Sequence, residues 1–190
     1  MAFTRPCCPG RCNGYGSHSR LVQAAMSRFL AICVVALAAG ASAVLADARK
    51  DCFEKSGDIA IRACSDAIRR DPKDTVSYVN RAFEYVQKGE HAQSIADYSK
   101  AIELDANRPD AYQGRAWAYF KTGKPAQGLA DADRSLQIKP NDAPALDTRG
   151  HIYEALGRRD DAIADFRRAL AIEPRMQGSR EGLQRLGGRP

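Results

Sequence analysis

Three sets of side chains in this 190-residue chain have types and spacings that could do chemistry. The first is ionic. Arg81, Arg115 and Arg149 recur with Asp97, Asp131 and Asp165, each Arg 16 residues before its Asp. A row of guanidinium groups could read anionic ligands, because the planar fork matches a carboxylate or phosphate. Each Arg comes with its own Asp, however, which favours a half-buried structural salt bridge repeated along the chain. The second set is aromatic: Phe83, Trp117 and His151 share one step. Asn80, Gly114 and Thr148 stand three residues earlier, and Val86, Phe120 and Glu154 three residues later. Such a stripe suits an extended peptide or a helix as ligand, and core packing between helices explains it equally well. The candidate binding residues are Asn80, Phe83, Trp117, Phe120, His151 and Glu154, with Trp117 as the expected anchor. The third set is the pair Cys52 and Cys64.

Other chemistry finds little support. His18, His91 and His151 lie far apart, with no His-x-x-x-His pair, phosphate loop or nucleophile elbow. Gly14-x-Gly16 lacks the third glycine of a dinucleotide loop. Cys7, Cys8 and Cys12 crowd together without a second cluster at zinc-finger spacing. No catalytic, cofactor-binding or metal-binding residue is therefore expected. The formal charge of +6 also misleads. Arg5, Arg11, Arg20 and Arg28 precede the first acidic residue, Asp47; without those four, 25 basic residues face 23 acidic ones. Both signs interleave as on a solvated surface, which argues against a nucleic-acid partner.

The elements that must position these groups are set by a period of 34 residues. Tyr85, Tyr119 and Tyr153 match, as do Gly89, Gly123 and Gly157, and Ala101, Ser135 and Ala169. A fixed period of this length marks a repeat array. The apolar spacing predicts helix pairs at 75–88 and 91–104, 110–121 and 126–138, and 145–156 and 160–172. Asp74 is an expected N-cap, Gly89 a C-terminal glycine, and Pro125 a helix-start proline. Residues 58–72 repeat the second half of a unit. The domains are then a partial helical pair at 47–74, full repeats at 75–108, 109–142 and 143–176, and a capping helix and tail at 177–190. Met176, Leu183 and Leu186 are expected on one face of that cap, with Gly178 and Gly182 weakening it. A cap argues for a monomer.

The N-terminal segment reads differently. Residues 1–25 lack apolar periodicity and are a disordered extension or a misassigned start, with Met26 the preferred first residue. From Met26 onwards come Arg28, an apolar run from Phe29 to Ala39, and Ala41-Ser42-Ala43 and Val44-Leu45-Ala46, both of which fit the small-x-small cleavage rule. Residues 26–46 are read as a signal peptide cut after Ala43 or Ala46, with an uncleaved inner-membrane anchor as the alternative. The expected location is periplasmic or secreted. Only Cys52 and Cys64 survive such processing, and a disulfide is the preferred reading over a redox or metal-binding pair.

Over Asp58 to Met176 the order of aromatic, small residue, Tyr, Gly, Ala, aromatic, Ala and Pro resembles the tetratricopeptide repeat (TPR) family. The resemblance implies an all-α TPR-type α-solenoid of three full helix-turn-helix repeats, an N-terminal partial repeat and a C-terminal capping helix. Arg after the first aromatic, joined to a Cys-containing half repeat, looks like a group of small exported bacterial repeat proteins. The implied function is an adaptor or scaffold that binds a protein or peptide on a concave surface. A chaperone-like envelope factor and a membrane-anchored subunit are the alternatives. Some domains of this family clamp a chaperone's terminal carboxylate. Asn80 matches one clamp position, but Asp110 and Gly114 stand where the next repeat would supply others, so that role is not carried over.

Overall fold

Two turn geometries recur along the backbone and set the architecture. At the end of the first helix of each repeat a glycine takes a positive φ, 77° at Gly89 and 73° at both Gly123 and Gly157. At Gly123 the reason is explicit: Gly123 N–H bonds Phe120 O (3.0 Å) and Lys124 N–H bonds Tyr119 O (2.9 Å), which closes the helix and reverses the chain. A side chain there would strain the left-handed backbone. The return turn after each second helix spans four residues.

The computed structural model describes residues 49–188. The N-terminal extension, the leader at 26–46, Asp47 and His18 lie outside the described residues. Helix α1 covers residues 49–54. Then come α2 (Gly57–Arg70), α3 (Thr75–Gln87), α4 (His91–Leu104), α5 (Pro109–Lys121), α6 (Pro125–Ile138), α7 (Ala143–Ala155), α8 (Arg159–Ile172) and α9 (Gln177–Arg185). The pairs α3 with α4, α5 with α6 and α7 with α8 pack most extensively. The first helices also touch in series, α3 to α5 to α7 to α9, and form an inner layer. This is an all-α TPR helical repeat.

Helices α3 and α4 start where the sequence places them, and α5 to α8 start one or two residues earlier than expected. Pro109 and Pro144 lie inside the first turns of α5 and α7. There a missing N–H costs nothing, so proline opens these helices. Asp74 sits at the N-cap of α3 but makes no cap bond. Its carboxylate instead accepts from Ser77 Oγ (2.7 Å) and Arg49 Nε (2.7 Å), tying α1 to α3. Glu84, also buried, accepts the Gly57 N–H at the start of α2 (2.6 Å), where the helix dipole favours a carboxylate. Cys52 and Cys64 join α1 to α2 through a disulfide.

The core is built from small residues. Ala82, Ala101, Ala116, Ala132, Ala162 and Ala169 are fully buried and let the helices approach closely. Large residues alternate with small ones across the stack. Tyr98 of α4 projects onto Gly114 of α5, where an added Cβ would overlap the ring. Phe166 of α8 fills the space against Gly150 of α7 and Gly182 of α9, and a Cβ at either glycine would collide with it. Gly182 is therefore needed for α9 to dock on Phe166, whatever it costs in helix propensity. Gly178 similarly faces the Asp147 carboxylate, 2.9 Å from where a Cβ would stand. The cap uses two cores: Leu183 and Leu186 pack with Phe166, whereas Met176 packs with Leu136, Leu146 and Ala169.

Candidate peptide-binding groove

The inner layer carries a groove of about 240 Å³ between α3, α5 and α7. Phe83 and Val86 of α3 form one wall, with Phe83 52% exposed. Trp117 of α5 lies beside them, and Pro144 and Met176 close the far side. Tyr98 is the floor: its ring reaches the groove because Gly114 has no side chain. Burial, helped by the nearby Asp110 charge, pushes its phenol well up, so the floor stays neutral. Gln87, Gln113, Asp147 and Thr148 supply the polar part. Gln113 Nε2 donates to Thr148 Oγ1 (2.8 Å), which links α5 to α7.

The six candidate binding residues fall in four places. Phe83 and Trp117 line the groove. Phe120 and His151 stand behind Trp117: the ring centroids are 5.2 Å from Trp117 to Phe120 and 5.8 Å from Trp117 to His151. His151 also meets the Phe166 ring edge-on at 5.0 Å, so its side chain is only 13% exposed. Core packing therefore describes His151, whereas Phe83 stays exposed at the groove. Asn80 lies apart, in a second cavity of about 200 Å³ beside Cys52, Phe53 and Val76. Glu154 is engaged within the chain. Arg185 of α9 donates to both its carboxylate oxygens at 2.9 and 2.8 Å and holds its pKa below the usual range. Glu154 and His151 thus anchor the cap.

Gln87, Gln113 and Asp147 are not among the residues expected from the sequence, and Met176 is expected only on the cap face. Gln113 and Asp147 are one period apart and continue the row from Val79, so the 34-residue step held a signal for them.

The most regular charges lie between helices. Arg81, Arg115 and Arg149 each donate Nε and Nη2 to Asp97, Asp131 and Asp165, at 2.6 to 2.9 Å. The third nitrogen reaches back to the preceding repeat: Arg81 Nη1 to Ser65 Oγ (2.9 Å), Arg115 Nη1 to Ser99 Oγ (2.9 Å), Arg149 Nη1 to Asp133 Oδ1 (2.7 Å). Each guanidinium therefore joins three helices. The hydrogen bond to Asp97 raises the Arg81 pKa, and that to Asp131 raises the Arg115 pKa. Such groups have little donor capacity left for a ligand. One period after Ser65, Ser99 and Asp133, α8 carries Arg167, and Leu183 takes the place of a fourth Arg.

Among the described residues, no group of three or more His, Cys, Asp or Glu could hold a metal ion. No described helix is long and apolar enough to cross a membrane.

Two segments match repeat models: residues 84–123 the TPR repeat, and residues 143–176 the tetratricopeptide repeat. Among solved structures, the MamA protein superposes with a TM-score of 0.63 at 20% identity, over 77% of this chain and 82% of that one. A thermophilic TPR protein of Thermus thermophilus gives 0.62 at 23% identity, over 68% and 72%. The second TPR domain of human RPAP3, in complex with the HSP70 peptide SGPTIEEVD, gives 0.56 at 23% identity, over 60% and 96%. At these identities the likeness is one of fold. None of the curated proteins matches the chain. No catalytic family matches, and TPR domains typically bind peptides or proteins.

Proposed function

We propose that this chain of tetratricopeptide repeats is an exported adaptor or scaffold that presents its groove to a segment of another protein. The observation that carries the binding reading is Phe83, 52% exposed at a groove shared with Trp117 and Met176 over a fixed floor. A large apolar ring held in water is stabilised when a partner covers it, and a preformed wall loses little entropy in doing so. The human RPAP3 domain, which has the same fold, is seen with a bound peptide. The mechanism is presentation on a rigid stack, with no bond made or broken. Export is supported by the leader-like run from Met26 to Ala46 and by the Cys52–Cys64 disulfide, which suits an oxidising compartment.

The test places a photo-crosslinking residue at position 83 of the full chain in living cells, with position 172 as the control, because Ile172 is also exposed. A discrete crosslinked polypeptide from position 83, absent from position 172, supports the groove. Equal products from both positions, or none from position 83, refute it. The N-terminal mass of the recovered chain tests export: a protein that begins at Val44 or Asp47 supports it, and one that retains residues 26–46 points to the membrane anchor.

A further inference from the structure

The groove contains one acidic side chain, Asp147, and one of its two carboxylate oxygens has no close side-chain donor. Ser179 Oγ donates to Asp147 Oδ1 at 2.6 Å. The other oxygen is 3.7 Å from His151 Nε2, beyond a hydrogen bond. No Arg or Lys pairs with Asp147 among the described residues. Arg185 feels the Asp147 charge, but its hydrogen bonds go to both oxygens of Glu154. Lys121 lies over the Trp117 ring, 5.5 Å from its centroid, and is solvent-exposed, so water screens it. Asp147 itself is only 18% exposed. A carboxylate so enclosed with a single strong donor favours a cation brought in by a ligand. Gln113 adds to this. Its amide nitrogen is engaged with Thr148, and its carbonyl oxygen remains as an acceptor.

We infer that the groove selects a peptide segment carrying an apolar side chain next to a Lys or Arg, with the cation read by Asp147 and the apolar group covered by Phe83 and Met176. This rests on the groove being the binding surface. It also separates the chain from a domain that holds an acidic carboxyl-terminal peptide, since an anion would meet Asp147 with no lining cation to offset it.

The experiment uses the full chain and three capped synthetic peptides that share a central Leu-Leu-Phe and differ only in flanking Lys, Gln or Glu. Binding is followed by the fluorescence of Trp117, the sole Trp, and by calorimetry. The Lys peptide is expected to bind about tenfold more tightly than the Gln peptide, with the Glu peptide the weakest. Asp147→Asn, which keeps an acceptor for Ser179, should erase the difference between the Lys and Gln peptides. Gln113→Glu, where the Thr148 hydroxyl can donate to the new carboxylate in place of accepting from the amide, should widen the preference by adding a second acidic group. Equal or tighter binding of the Glu peptide, or a Lys preference that survives Asp147→Asn, overturns the charge assignment while the groove reading stands. Failure of all three peptides to bind overturns both.

Discussion

Replacing Arg115 by Met tests whether the repeated guanidinium groups hold the stack or read a ligand. Met keeps much of the apolar stem and removes the bidentate bond to Asp131, the bond to Ser99 and the stacking on Tyr112. Asp131 would be left with its side chain only 10% exposed and no cation. Breaking a fully buried pair costs about 3–5 kcal/mol. Arg115 is 19% exposed, so water relieves part of this and about 2–3 kcal/mol remains. For a chain of this size that lowers Tm by about 5–10 °C. Urea and thermal unfolding would be followed by circular dichroism and, separately, by Trp117 fluorescence, because repeat arrays need not unfold in one step. The double variant Arg115→Met with Asp131→Leu should recover most of the loss, since an apolar pair of similar volume is often as stable as the ion pair. Below the transition the variant should bind a groove peptide as the wild type does. An unchanged Tm, or lost peptide binding with stability intact, would refute the structural role of the Arg row.

Further outcomes concern the cap and the N-terminal end. Gly182→Ala would drive a methyl group into the Phe166 ring and should cost about 1–3 kcal/mol, read as faster hydrogen exchange across α9. The folded pKa of Glu154 lies below its ordinary 4.5 because Arg185 bonds its charged form. The stability it contributes is therefore complete above that value and is lost as pH falls through the lowered one. Exchange protection of α9 should fall in acid below about pH 4.5, and Glu154→Gln should make protection at neutral pH resemble that of the acid form. Reducing the Cys52–Cys64 disulfide, whose residues are 12 apart, should cost about 3 kcal/mol by the chain-entropy model and loosen α1 and α2 first. Proteolysis under reductant that begins elsewhere would contradict this.

The helical architecture was legible because helix-ending glycines and buried alanines recur at the same step as the apolar faces. Gly89, Gly123 and Gly157 announce the turns, and Ala82 and Ala116 the close contacts, so local and long-range signals agree. The groove was only partly legible. Phe83 and His151 occupy equivalent places in the repeat, yet one faces water and the other is enclosed by Trp117, Phe120 and Phe166. Their neighbours account for the difference: Tyr98 stands beside Phe83 as Phe166 does beside His151, but the rings Trp117 and Phe120 that cover His151 give way, two periods earlier, to Arg49 and Cys52. The pairing of Glu154 with Arg185 joins unlike residues 31 apart, outside the repeat step, so periodicity could not reveal it. The backward reach of Arg81 and Arg115 to Ser65 and Ser99 does keep to the step, and was hidden only because a serine in a helix is usually unremarkable.

The Arg rows also carry an instruction about length. A unit duplicated in the interior would bring its own Asp, find an acceptor on the repeat before it and offer one to the repeat after it. A unit appended after α8 would present its guanidinium to Arg167, and Leu183 shows what the chain places there instead. The register that lets the repeats multiply is thus cancelled at the last one. Duplication of an interior unit would therefore keep these contacts, whereas a unit added after α8 would break them.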